Sequence, residues 1–137
     1  MTDQRGTAPV ELVAGLALLV LPAAFLVLSF GPLLETRAFL RVAAAQGAEL
    51  LIRTDGDVVR AQSLLADLAG SAGRDLRVSW CGGPFGPVDG PPRSGCGYPL
   101  PRGGLVEVAV EADVSAPLGS LTVGWRHVTP IDVYHSR

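Results

Sequence analysis

The sequence has no lysine, few aromatic residues and two cysteines among its 137 residues. All 11 basic side chains are arginines, so no isopeptide crosslink through a lysine can form. The formal net charge is −2, with both signs scattered along the chain, and no basic patch favours binding to nucleic acid. Two cysteines without ligating histidines beside them are too few for a zinc site, and we expect neither a metal nor a cofactor.

Catalytic motifs are also missing. The Gly-rich loop 82–97 is not followed by the lysine and helix that a phosphate-binding loop needs. No serine has histidine and aspartate partners in a recognised motif. His127 and His135 lie far in sequence from the cysteines and from any acidic cluster, which favours structural or surface roles. We therefore expect neither an enzyme nor a small-molecule substrate.

Charge is absent from residues 12–34, the longest apolar run of the chain. Residues 12–30 alone would form a helix of about 28 Å, close to the ~30 Å hydrocarbon core of a bilayer. The apolar region of a cleavable secretory signal is usually only about 7–15 residues long. The small-residue run 43–45 resembles a signal cleavage site, but charged residues separate it from the apolar run. The pattern favours one membrane-spanning helix, loosened at Pro22 and interrupted at Gly31–Pro32.

The two cysteines orient this helix better than the arginines do. Arg5 precedes the apolar run and Arg37 and Arg41 follow it, a slight bias against an inside N-terminus. An oxidising compartment would pair Cys81 with Cys96, closing a loop of about sixteen residues and contributing about 3 kcal/mol in the chain-entropy model. The alternative is two free thiols. We predict the disulfide, and with it a single-pass plasma-membrane protein whose C-terminal domain lies outside.

The remaining sequence predicts two helical segments followed by a sheet. Residues 35–53 continue the membrane helix outward, and a second helix spans 58–70, capped by Asp57 or Thr54 and ended by Gly70. Apolar and polar residues alternate at 76–80, 106–114 and 121–127. In the helical segment 35–53, the positions that recur every three to four residues and form the predicted face are Phe39, Val42, Ala43, Gln46 and Leu50.

We therefore predict an α+β fold: a pilin-like N-terminal helix extended outward, a second helix, and a three-stranded antiparallel sheet with a disulfide-closed loop. Residues 116–119 form the hairpin turn, and Trp80 and Trp125 belong to the core of the sheet. The predicted organisation is a leader at 1–6, a transmembrane helix at 7–34, an extracytoplasmic helical region at 35–72 and a β-rich domain at 73–137.

Glu11 stands at the edge of the apolar run, five residues after Gly6. A plain membrane anchor gains nothing from a carboxylate there. A chain cut between Gly6 and Thr7 does gain, because the new ammonium of Thr7 lies one helical turn from Glu11 and can pair with its carboxylate or with that of a neighbour. We interpret Gly6 and Thr7 as a processing site and Glu11 as a residue for subunit pairing and assembly. The alternative is an interfacial glutamate that merely ends the apolar run.

Three stretches resemble the TadE-like family, the minor pilins or pseudopilins of tight-adherence (Flp-type) pilus systems. Residues 5–12, RGTAPVEL, are similar to the start of the family, residues 37–48 to its post-membrane helix, and 127–134 to the tail of actinobacterial members. Two positions depart from the family pattern: Gln46 replaces the usual arginine or glutamate, and Leu12 replaces the phenylalanine or tyrosine of many relatives.

The resemblance implies cleavage between Gly6 and Thr7 by a prepilin peptidase, with Glu11 at mature position five. It also implies a minor role at the tip or in assembly, with membrane lipid, other pilin-like subunits and the pilus assembly platform as partners, and an extracellular location after assembly. Two alternatives remain: an uncleaved single-pass scaffold of a secretion or pilus machine, and an exported enzyme or binding domain on a membrane tether.

Overall fold

The computed structural model describes residues 8–117 and 119–132. Two helices precede four strands, and the predicted α+β class is confirmed. The elements are α1 (Ala8–Arg53), α2 (Val58–Ala72), β1 (Leu76–Trp80), β2 (Gly86–Pro87), β3 (Leu105–Ala116) and β4 (Gly119–Pro130).

Helix α1 runs for 46 residues without a break, so the predicted interruption at Gly31–Pro32 is wrong. Pro32 removes one backbone donor, but its own carbonyl accepts a hydrogen bond of 2.8 Å from the Thr36 hydroxyl. The turns that follow are packed against the rest of the fold through Thr36, Leu40 and Ala43, and the helix continues to Arg53. By length and composition α1 can cross a membrane: its most apolar window has a mean hydropathy of 2.6, and none of that window is buried.

Helix α2 begins as predicted and ends two residues later than predicted. The Asp57 carboxylate accepts a hydrogen bond of 3.1 Å from the backbone N–H of Arg60, which confirms Asp57 as the N-cap. At the other end Gly73, not Gly70, adopts the left-handed conformation that terminates the helix (φ 61°). Gly70 lies inside the last turn, because the N–H of Gly73 donates to its carbonyl at 3.1 Å.

The sheet has four antiparallel strands in the order β2-β1-β3-β4, where the sequence predicted three. The additional strand β2 is two residues long and pairs with Arg77 and Val78 of β1. Such a short strand in a Gly/Pro-rich loop shows no alternation that a sequence pattern can detect. The predicted hairpin between β3 and β4 is confirmed, with Ala116 opposite Gly119; Leu118 lies outside the described residues.

One face of the sheet is covered by both helices. The predicted inward row of β3 is confirmed, since each of its five apolar side chains is at most 6% exposed. Trp80 of β1 is 2% exposed and belongs to the core, whereas Trp125 of β4 is only partly buried against it. The inward row of β3 consists of Val106, Val108, Val110, Ala112 and Val114.

The outer half of α1 confirms the predicted face in part: Ala43 is buried, and Phe39 and Leu50 are partly buried against the core. Val42 is 52% exposed and Gln46 is exposed. The helix approaches its neighbours through small residues: a Cβ built on Gly47 would meet Leu65 of α2 at 3.3 Å and Val108 of β3 at 3.5 Å. A helix face that packs through alanine and glycine does not stand out as hydrophobic in the sequence. The larger Val42 was therefore assigned to the buried face, although it is exposed. The buried side chains of this segment are those of Thr36, Leu40, Ala43, Ala44, Ala48 and Leu51.

Candidate functional site

The candidate processing and assembly site lies at the N-terminal end of α1. Gly6 and Thr7 lie outside the described residues, which begin at Ala8. Pro9 and Glu11 lie in the first turn of the helix, where a proline is tolerated and where a carboxylate faces the positive end of the helix dipole. The Glu11 side chain is exposed, so its carboxylate is free to meet a partner from outside the chain.

The apolar half of α1, residues 10–34, offers a large surface that the described residues leave mostly uncovered. Fourteen large apolar side chains between positions 10 and 34 are at least half exposed. Soluble monomers rarely expose a contiguous apolar patch larger than about 300–600 Å². A surface of this size is typical of a segment that contacts a membrane or a protein partner.

Arg74, immediately after α2, marks the point where α1 meets the domain. Its guanidinium pairs with the Glu35 carboxylate at 3.3 Å and donates a hydrogen bond to the Thr36 hydroxyl. It also lies 5.6 Å from the centroid of the Phe39 ring, within the range of a cation–π interaction. One side chain thus attaches the end of α2 to α1 just beyond the uncharged run.

The structure contains the predicted disulfide between Cys81 and Cys96, whose Cα atoms are 5.1 Å apart. The loop that it closes is also held from α2, where the buried Gln62 amide donates hydrogen bonds to the carbonyls of Val88, at 3.1 Å, and Gly90. Val88 itself is buried in the core. The loop is therefore part of the packed domain. The sequence pattern did not indicate that the loop packs against α2.

The sheet face away from the helices carries a charged cluster on its three longer strands. Arg77 donates to both oxygens of Asp113, at 3.0 and 3.1 Å, and to Glu111 at 3.2 Å. The Thr122 hydroxyl donates to the same Asp113 carboxylate at 2.6 Å. The hydrogen bond from Arg77, supported by the one from Thr122, lowers the pKa of Asp113, and in return the bond to Asp113 raises the pKa of Arg77. This face is polar and paired, unlike the covered face.

An apolar cleft of about 230 Å³ separates the hairpin tip from the apolar half of α1. The helix contributes residues 25–33 to its wall, and the hairpin contributes Val114, Ala116, Pro117 and Leu121. The sequence signal for the hairpin side is the uncharged stretch 114–125, between Asp113 and Arg126, to which strand alternation and a turn at 116–119 assign no partner.

The described residues contain no group of three or more histidine, cysteine or acidic side chains that could hold a metal ion. His127 lies half-buried in β4, and His135 is outside the described residues. Comparisons with family models, with curated proteins and with solved structures found no match. The resemblance to TadE-like proteins therefore stays a prediction that rests on the residues quoted for it.

Proposed function

We propose that this chain is a minor pilin-like, TadE-like structural or assembly subunit of a tight-adherence type IV pilus, held in the plasma membrane by α1 before assembly. The observation that supports this most is the position of Glu11. An exposed carboxylate stands in the first turn of a 46-residue helix whose following half is apolar and exposed.

The exposed apolar half of α1 suits a subunit that changes its surroundings. In the membrane its side chains face lipid, and in a filament they would face the same segments of neighbouring subunits. Both environments remove apolar surface from water at about 25 cal/mol per Å². A subunit with this surface can leave lipid for a helical bundle without exposing the segment to water.

Glu11 would direct that exchange. After cleavage between Gly6 and Thr7, the Thr7 ammonium lies one helical turn from the Glu11 carboxylate. A charge left unpaired in a dry environment costs several kcal/mol, so a bundle is favoured in the stagger that pairs each carboxylate with an ammonium. The partners of the proposal are therefore membrane lipid, a prepilin peptidase, other pilin-like subunits and the assembly platform.

The domain supports display outside the membrane. A disulfide forms and persists in oxidising compartments, so the Cys81–Cys96 bridge favours a location outside the cytoplasm. The β-rich domain would then project from the outer end of α1, and we propose no catalytic role for it.

The N-terminal residue of the protein from membranes and from sheared surface material tests the proposal. A start at Thr7 is the expected result. A start at Met1 or Thr2 with α1 intact would instead favour the alternative, an uncleaved single-pass scaffold of a secretion or pilus machine.

A Glu11→Gln variant tests the pairing role separately, with Glu49→Gln as the matched control. Glu49 is an exposed glutamate on the same helix, and it pairs with Arg53 of its own chain. We expect both variants to insert into the membrane and only Glu11→Gln to be lost from sheared pili. Equal pilus content of the two variants would contradict a role for Glu11 in assembly.

A further inference from the structure

The β3–β4 hairpin lies along α1 and points its tip towards the apolar half of that helix. Three contacts fix the direction. Val108, deep in β3, lies beside Gly47; Trp125 of β4 lies under Arg41, whose guanidinium carbon is 5.9 Å from the ring centroid; and the tip lies beside residues 25–33. The contacts on α1 thus descend towards its N-terminus as the hairpin approaches its turn.

The tip has the composition of a lipid-facing surface. No charge occurs from residue 114 to residue 125, and Leu121 is 54% exposed. On the facing helix Phe25, Leu26 and Phe30 are each more than half exposed. This surface is continuous with the apolar surface of the membrane-spanning segment, so lipid surrounding the helix also meets the tip.

Backbone hydrogen bonding limits how deep the tip can lie. Strand β1 pairs with β3 only from Val108 to Ala112, so among the described residues the hairpin beyond Asp113 is a two-stranded ribbon with both outer edges unpaired. Open sheet edges are not tolerated in lipid-exposed hydrocarbon, where unpaired N–H and C=O groups cost several kcal/mol each. The tip therefore belongs in the headgroup and carbonyl region.

We propose that the tip of the β3–β4 hairpin, described here by residues 114–117 and 119–121, rests in the outer-leaflet interface as a second membrane contact beside α1. The hydrocarbon segment of α1 then ends near Phe25, the first helix residue that lines the cleft beside the tip. Asp113, about 13 Å up the strand from Pro117, stays in water, where its ion pair with Arg77 is found. This assignment rests on insertion of α1 in the membrane, which the proposed function also requires.

Spin labels on the full chain in phosphatidylcholine and phosphatidylglycerol vesicles test this depth. Single cysteines replace Ser120 at the tip, Ser71 on the exposed side of α2 and Leu19 in the apolar half of α1; the native pair is bridged and does not react with the label. Collisions with oxygen, which partitions into lipid, are compared with collisions with a water-soluble nickel chelate.

We expect the Ser120→Cys label to lose collisions with the chelate relative to the Ser71→Cys label, and the Leu19→Cys label to lose them further. Chelate collisions at Ser120→Cys equal to those at Ser71→Cys, with Leu19→Cys at hydrocarbon depth, would overturn the hairpin contact alone. Chelate access at Leu19→Cys would overturn the hairpin contact and the membrane anchoring together.

Dilution separates lipid from a second copy of the chain as the group that covers the tip. Protection of the Ser120→Cys label that persists when protein is diluted into excess lipid supports the lipid contact. Protection that disappears on dilution would overturn it and assign the tip to an interface between copies.

Discussion

The two halves of α1 share one continuous backbone and differ in what surrounds them. Residues in the first half are apolar on every side and exposed, whereas the second half buries one stripe of mostly small residues against the sheet and α2. Apolar content alone therefore does not determine where a helix segment lies. The width of the apolar surface does: a complete apolar circumference requires lipid or a bundle, and a stripe requires one packed neighbour.

The largest contrast is expected from removing a leucine in each half. Leu51 is fully buried, so Leu51→Ala should lower the free energy of unfolding of the domain by about 2–5 kcal/mol. Leu19 is 72% exposed, and Leu19→Ala should leave that free energy unchanged. Denaturant titration of the full chain in detergent micelles, followed by tryptophan fluorescence, measures both. Equal effects of the two substitutions would contradict the division of the helix.

Glycine gives a second matched pair. A side chain at Gly47 meets Leu65 and Val108, whereas a Cβ at Gly15 has no neighbour within 4 Å among the described residues. We expect Gly47→Val to destabilise the domain by about 1–3 kcal/mol through overpacking, and Gly15→Val to have no effect on it. Denaturant titration in detergent micelles measures the free energy of unfolding of both variants. A neutral Gly47→Val variant would show that the helix can move away from the sheet at little cost.

Replacing Arg74 tests the junction between the halves. Arg74→Met removes the ion pair to Glu35, the hydrogen bond to Thr36 and the contact with Phe39, and should cost about 1–2 kcal/mol. Arg53→Met removes only an exposed pair with Glu49, one helical turn away, and should cost no more than about 0.5 kcal/mol. Thermal unfolding in micelles compares them. Equal costs would reduce Arg74 to an ordinary surface residue.

The smallest expected effect on stability comes from the polar face of the sheet, which lies away from both halves of α1. The lowered pKa of Asp113 means that its contribution to stability is present above the ordinary aspartate pKa and is lost as the pH falls through the folded-state value. Asp113→Asn should therefore flatten the loss of stability that occurs as the pH falls below the ordinary aspartate pKa of about 3.9. Asp67→Asn, an exposed position on α2, is the control. Parallel pH profiles of the two variants would contradict the pairing with Arg77.

Sequence periodicity was sufficient to predict a buried face where large apolar residues of one type dominated that face of the element. The alternation of valines in β3 predicted both the strand and its buried row, and the Asp57 cap predicted the start of α2. A small-residue interface gave no comparable signal, so the buried stripe around Gly47 was misplaced. The interruption expected at Pro32 failed for a related reason: local propensity favours a break, but packing of the turns beyond it keeps the helix continuous.

The candidate site stays a prediction that rests on a set of residues in the sequence. Gly6, Thr7 and Glu11 were recognised from their spacing before an apolar run, and the described residues place Glu11 in the first helical turn. The cleft at the hairpin tip is lined by residues about ninety positions apart, such as Phe25 and Val114, and no local pattern encodes that arrangement.

The unbroken course of α1 has a mechanical consequence. A helix of 46 residues is about 69 Å long, and no hinge separates its apolar half from the half packed in the domain. In the proposed membrane-anchored state, tension or torque applied to the sheet is therefore transmitted along this continuous helix into the bilayer. In that state a pull on the β-rich domain acts directly on the N-terminal end of the helix, which carries Glu11.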